Sequence, residues 1–421
     1  MNAVSPPARA HDTRLDKLAE VAVKIGLGLQ PGQELVMTAP LAAVSLVRRI
    51  THHAYQSGAK LVTTLFSDEE TTLSRFQHAP DAAFDYAPAW MFEGMAEAFR
   101  GGAARLAIAG DDPSLLAGQD PDRVARANRA RSVAYRPALE LITNFAINWN
   151  IVSFATPSWA RTVFPDLPEA EGVARLWDAI FAASRIDAAD PVAAWTAHNA
   201  ALHARTAYLN AKRYSALHFT GPGTDLTVGL SDGHLWAGGA EPAKNGIVCN
   251  PNIPTEEVFT TPHRARVDGN VCSTKPLSYN GTLIEGIEVR FKAGRIVQSN
   301  ARTGASVLER VLGTDEGARR LGEVALVPNS SPISSSNLLF FNTLFDENAA
   351  SHIALGQAYR TCLEGGTTAS DAELLQRGAN SSLIHIDWMI GSGEVDIDGM
   401  NADGTREPLM RAGEWTNASP S

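Results

Sequence analysis

Two histidines and a handful of carboxylates in the carboxyl-terminal half are the residues best suited to chemistry. Ser382–Gly391 reads SLIHIDWMIG, and its β-branched and aromatic flanks predict an interior strand. Side chains alternate faces along a strand, so His385 and Asp387 share one face. An imidazole and a carboxylate projecting together from an apolar strand are costly unless they pair or hold a cation. An H-x-D pair alone suits a structural hydrogen bond just as well, so its company decides. Upstream, Phe345–Tyr359 (FDENAASHIALGQAY) reads as a helix with Asp346 as its N-cap, which sets His352 and Tyr359, two turns apart, near one stripe. Taken singly, these suit a satisfied core histidine and tyrosine. Glu323 enters the otherwise apolar segment GEVALVP, where exposure at a strand's start is the plain alternative. In PTEEVF (254–259), Glu256 and Glu257 would face opposite ways on a regular strand, so at most one joins a cluster. A solvated acidic turn is the alternative there.

Imidazole and oxygen donors without thiolates suit Zn²⁺, Co²⁺ or Mn²⁺. One catalytic ion takes about three protein ligands and keeps a position open. Five candidates exceed that and suit two ions, roughly 3.5–4 Å apart, sharing a carboxylate as in two-metal hydrolases. Two rivals belong to other classes. Two histidines and one carboxylate form the facial triad of a mononuclear non-haem iron oxygenase, which leaves Glu257 and Glu323 unemployed. A non-catalytic α/β binding module would use all of these residues structurally.

The elements that must position these groups fall into two textures. From Arg14, the apolar residues Leu15, Leu18, Ala22, Ile25 and Leu29 step by three and four, which predicts a helix ended by Pro31 and Gly32. A strand at 34–38, a helix with Val44, Val47, Ile50 and Ala54 on one side, and a strand at 60–66 form a βαβ unit. Further strands are expected around Leu106–Ala109 and Val152–Ala155. The expectation is an α/β amino-terminal domain, residues 1–210, with an open, partly parallel sheet. A helix over 191–213 would serve as hinge. The α+β carboxyl-terminal catalytic domain, residues 211–421, is richer in glycine, proline and short alternating segments such as Ile284–Phe291. Gly221-Pro222-Gly223-Thr224-Asp225-Leu226 starts like a dinucleotide fingerprint, but Leu226 stands where the third glycine belongs, so a turn is expected. His52 and His53, adjacent on a helix, diverge by roughly 100° and suit a solvated face better than a shared ion.

Composition excludes several classes. A chain of 421 residues with 44% hydrophobic and 19% charged residues can bury two cores and is not intrinsically disordered. A net charge of -10 argues against a nucleic-acid partner. No apolar run reaches the roughly 18 residues of a membrane span, and none is expected. Met1–Thr13 holds two prolines and no apolar core of a secretory signal. Cys249, Cys272 and Cys362 lie far apart without C-x-x-C spacing, which suits a reducing, cytoplasmic setting.

Several long motifs resemble the aminopeptidase T / aminopeptidase S family of bacterial metallopeptidases. They are NIPTEEVFTTPHR (252–264), TDEGARRLGEVALVP (314–328), LFFNTLFDENAASHIALGQAY (339–359), LIHIDWMIGS (383–392) and DGTREPLMRAGEW (403–415). The likeness implies a two-domain, usually homodimeric enzyme that removes the first amino acid from short peptides with a free N-terminus. It implies two divalent ions (Zn²⁺, Co²⁺, Mn²⁺ or Mg²⁺) held by Glu257 or its neighbour Glu256, with Glu323, His352, His385 and Asp387. The family's spacing to Glu323 favours Glu257 and leaves Glu256 as a general base. Tyr359 matches the family's active-site tyrosine.

Overall fold

Apolar runs of the amino-terminal half become strands of one parallel sheet. β1 (Glu34–Pro40), β2 (Leu61–Ser67), β3 (Ala104–Ala109) and β4 (Trp149–Ser153) stand in the order β2-β1-β3-β4, every neighbouring pair parallel. The computed structural model describes residues 6–279 and 282–416; Met1–Ser5, which open the segment read against a secretory signal, lie outside them. Helix α1 (Pro6–Val21) runs on as a wider turn over Ala22–Leu27 and closes at Gly28, not at Pro31 and Gly32. Gly28 has a φ of 56°, and a Cβ there would stand 2.2 Å from the Val248 carbonyl oxygen, so only glycine fits. Helix α2 (Val44–Gln56) links β1 to β2 and buries Val47, Ile50 and Ala54 of the expected face.

The chain forms two compact units: Met1–Thr196 with Ala240–Pro254, and Ala197–Gly239 with Thr255–Ser421. Where one boundary near residue 210 is expected from the change in texture, the chain passes between units at 196–197, 239–240 and 254–255. The first of these passages lies inside helix α3 (Pro191–Lys212).

The second unit is antiparallel in both of its main sheets. The larger sheet has eight strands, in the order 295–300, 288–292, 262–272, 224–230, 216–221, 396–400, 406–411 and 414–415. Pro222 and Gly223 form the two-residue turn of its 216–221/224–230 hairpin, so the glycine-rich stretch binds no dinucleotide phosphate on a helix start. The smaller sheet carries the chemistry. It comprises β5 (Val258–Thr260), β6 (Leu321–Leu326), β7 (His352–Gly356) and β8 (His385–Met389), in the order β8-β7-β6-β5. One face of it, including Val258, Val324, Leu326, Ile353, Leu355 and Trp388, enters a core shared with Leu217, Phe219 and Val228 of the larger sheet.

Two expectations about these elements need correction. His352 opens a strand and does not sit on a helix with Tyr359. Helix Thr343–Asp346 is a single turn capped by Asn342, a 3₁₀ turn follows over Glu347–Ala349, and at Ala350 the backbone is extended. The apolar run Ile353–Leu355 satisfies either period over so few residues; partners on both sides, β6 and β8, supply a ladder that a helix would forgo. Asp346 caps nothing at its expected place; its carboxylate accepts from the backbone N–H groups of Phe340 (2.7 Å) and Asn342 (2.9 Å). Nor is β8 an interior strand, since it forms the edge of the sheet beside β7. Its apolar residues record burial of one face, not a neighbour on each side.

Ile353 has no exposed surface and lies between two side chains of the opposite face. Ile353→Ala should destabilise the protein by about 2–5 kcal/mol, read as a lower urea midpoint with an unchanged slope.

Candidate metal centre

Alternation along three strands and one strand approach aims the polar groups to the face opposite the core. On β7, Ile353 and Leu355 point to the core, so His352 and Ala354 face the other way. On β8 the same rule sends Ile386 and Trp388 inward and His385 and Asp387 outward. β6 needs a correction to its phase. Its register shifts between Leu321, opposite Leu355, and Glu323, opposite Ala354, so Gly322 is an extra residue. The bulge lets Leu321 and Val324 both enter the core while Glu323 stands on the outer face. A Cβ at Gly322 would meet the Gln357 carbonyl oxygen at 2.3 Å. Glu257 arrives one residue before β5.

The five groups converge. Donor atoms of Glu257, Glu323 and His352 lie within 4.8 Å of one another, and so do those of Glu323, His385 and Asp387. Glu323 belongs to both sets, and its two oxygens diverge. Oε1 lies 3.7 Å from His352 Nε2 and Oε2 lies 3.3 Å from His385 Nε2. Glu257 Oε2 is 3.2 Å from His352 Nε2, and Asp387 Oδ1 is 3.3 Å from His385 Nε2. Ala354 pairs with Glu323 on one side and Asp387 on the other. Its methyl leaves open the space above β7 in which the two carboxylates meet.

Both imidazoles are oriented by backbone carbonyls. His352 Nδ1 donates to the Ala350 carbonyl (3.1 Å) and His385 Nδ1 to the Gln357 carbonyl (2.7 Å). A carbonyl only accepts, so the proton sits on Nδ1 and each Nε2 turns its lone pair to the cluster in the neutral ring. Burial alone would lower the pKa of both rings, but the facing carboxylates outweigh it and hold them well above the usual histidine value. Burial raises Glu257, assisted by the charges of Glu323 and Asp387. Among the described residues no lysine or arginine forms an ion pair with these three carboxylates. Glu257 Oε2 is buried and makes no hydrogen bond. A buried carboxylate oxygen without a hydrogen bond, beside the His352 imidazole, belongs to a donor set that fits hard or borderline divalent cations.

Two further groups face this cluster. Tyr359 lies beyond β7, as the cap of a 3₁₀ turn, with its ring centroid 4.7 Å from that of His385 and 5.9 Å from that of Phe259. Removal from water, with the charges of Glu323 and Asp387, keeps its hydroxyl protonated well above the usual tyrosine range, although the residue is 44% exposed. Glu347 is the group that sequence reasoning passed over. Burial pushes its pKa far up, and the nearby negative charges of Glu257 and Asp387 add to this. It stands within a motif already singled out, but a helical reading of that stretch drew attention to Asp346 instead.

Other candidates stand apart. Glu256 is buried, yet its carboxylate turns to His198 Nε2, 3.8 Å away, and joins neither set of donors. His53 pairs with Asp16 (3.1 Å) on the amino-terminal unit, and the His52–His53 pair also joins neither set. The two cluster histidines fall in different sets, one per pair of carboxylates, which is not the two-histidine triad of a mononuclear iron oxygenase.

A buried set of carboxylates and imidazoles on an antiparallel α+β unit is the kind of donor set that metal-dependent hydrolases use. The chain belongs to the thermophilic metalloprotease (M29) family, whose profile matches residues 11–415. It is 58% identical over 406 residues to aminopeptidase T of Thermus thermophilus, covering 96% of this chain and 99% of that protein. It is 50% identical over 407 residues to aminopeptidase 2 of Geobacillus stearothermophilus (96% and 98%), and 44% over 402 residues to aminopeptidase AmpS of Bacillus subtilis (96% and 98%). The solved structure of wild-type AmpT from Thermus thermophilus superposes with a TM-score of 0.91 at 57% identity, covering 96% of this chain and 99% of that one.

Because Glu323 is common to both donor sets, Glu323→Gln should weaken binding of every ion. Asp387→Asn should spare one. Elemental analysis after dialysis distinguishes the two; equal losses in both variants would show that the sets are not separate.

Proposed function

We propose that the chain is a metal-dependent aminopeptidase using two divalent cations, drawn from Zn²⁺, Co²⁺, Mn²⁺ and Mg²⁺, to remove the first residue of short peptides with a free N-terminus. The observation that carries this is the shared Glu323, whose two oxygens face two different histidines at 3.7 and 3.3 Å. The aminopeptidase names of relatives that match nearly the whole chain support the reaction class. When bound, such ions lower the pKa of water to ~7 and polarise a carbonyl, so amide hydrolysis runs at neutral pH.

The chain's own residues divide the remaining work. Glu257, Glu323 and His352 form one ligand set and Glu323, His385 and Asp387 the other. Tyr359, protonated and beside His385, donates a hydrogen bond to the oxygen that gains charge as the carbonyl carbon becomes tetrahedral. Glu347, rather than Glu256, takes the proton from the attacking water and returns it to the leaving amine. Its high proton affinity among carboxylates suits a group that must hold that proton between the two steps. Glu256 faces His198 and supports the backbone before Glu257 instead.

A homodimer, implied by the motifs, belongs to this reading, and sedimentation velocity separates it from a monomer. A reducing, cytoplasmic compartment suits three cysteines that form no disulfide among the described residues. No helix among the described residues is long and apolar enough to cross a membrane.

Leucyl peptides should be cleaved and their N-acetylated forms left intact, and a chelator should abolish turnover until a divalent ion is restored. Tyr359→Phe should lower kcat by ~10²–10³ while keeping its metal. Glu347→Gln should lower kcat by ~10²–10⁴, again at full metal content. Cleavage of blocked peptides, or chelator-resistant activity, would overturn the assignment.

A further inference from the structure

The peptide group that joins Thr255 to Glu256 is gripped at both ends. Its carbonyl oxygen lies 2.8 Å from Nε2 of His198, on α3. Its N–H donates to Oδ1 of Asn348 at 2.7 Å. Because a carbonyl oxygen only accepts, His198 must carry a proton on Nε2. The Asn348 side chain has no freedom to flip: it is wholly buried, and Nδ2 donates to the Leu344 carbonyl (3.1 Å) and approaches Glu347 Oε1 (3.5 Å), leaving Oδ1 for the peptide.

This clamp stands where no ladder holds the chain. β5 begins at Val258, so the peptide before Glu257 is outside the regular pairing with β6. Yet Glu257 must deliver a carboxylate to within bonding range of a cation, and a long side chain rooted in a loose backbone does that poorly. We infer that His198 and Asn348 are positioning residues that fix the plane of the 255–256 peptide and thereby aim Glu257 at the donor set it forms with Glu323 and His352. His198, about 60 positions upstream and in neither donor set, reaches Glu257 through that peptide, with the Glu256 carboxylate also 3.8 Å from its Nε2. Asn348 ties the same peptide to the turn that carries Glu347, so one amide sets the spacing between a ligand and the proton carrier. This inference rests on the two-ion reading above.

The test uses the intact protein stripped of metal and titrated with Zn²⁺ by calorimetry, so that no activity is needed. The wild-type chain should bind two ions, and Glu257→Gln marks the step that depends on Glu257. In His198→Leu that same step should weaken about 10–100-fold while the other is unchanged. His198→Gln, whose Nε2 amide can occupy the place of the imidazole N–H, should recover most of the loss. If His198→Leu does not fold, His198→Asn, too short to reach the carbonyl, carries the same expectation. Two unchanged binding steps in the folded variant overturn the inference, and so does a glutamine variant as weak as the leucine one, which would mark a packing role. A wild-type chain that binds fewer than two ions would instead sink the two-ion reading itself.

Discussion

One carboxylate organises the second unit. Glu323 is 4% exposed and lies between two imidazoles, with another carboxylate beyond each. Three anionic groups brought out of water within a few ångströms repel one another, and their desolvation is costly unless positive charge joins them. Protons on the histidines would supply that charge, and so would divalent cations, to which both Nε2 atoms could coordinate. The sheet geometry, the histidine tautomers and the lack, among the described residues, of a lysine or arginine paired with these carboxylates are all consistent with a space kept for a cation.

The fold meets this demand by dividing labour between the faces of one small sheet. Ile353, Leu355, Val324 and Trp388 anchor one face in the core, which fixes the register of three strands. Register in turn fixes which side chains stand on the other face, since a slip by one residue would send every ligand inward. A bulge at Gly322 adjusts the phase of β6 so that Glu323 is not lost to the core, and Ala354 keeps the middle strand low where two carboxylates meet. Rigidity comes from hydrophobic packing; chemistry occupies the surface that packing leaves over.

The groups proposed to act on substrate are placed by different means from those proposed to hold ions. The candidate ligands sit on strands or one residue from a strand, and each cluster histidine is oriented by a backbone carbonyl. Glu347 and Tyr359 stand on 3₁₀ turns before and after β7, reaching the cluster from its rim. Turns tolerate the small movements that proton transfer and substrate entry require, whereas a metal ligand gains from the stiffness of a ladder.

Residue chemistry was legible in the chain itself. Imidazole and carboxylate without thiolate named the class of ion, the period of two joined His385 to Asp387, and opposed faces separated Glu256 from Glu257 before any coordinates. The βαβ alternation of the first unit was equally plain, because short apolar or β-branched strands alternate with a helix whose buried residues recur every three to four positions. What the sequence did not carry was the strand at His352, where five residues fit either period and only the neighbours β6 and β8 decide. Nor did it carry the inward turn of Glu347, the edge position of β8 or the clamp on the 255–256 peptide. Each of these depends on partners far off in the chain, and local propensity holds no information about which distant backbone will supply the missing hydrogen bond. The side-chain types determined which chemistry was available; tertiary pairing alone decided which of those side chains would meet.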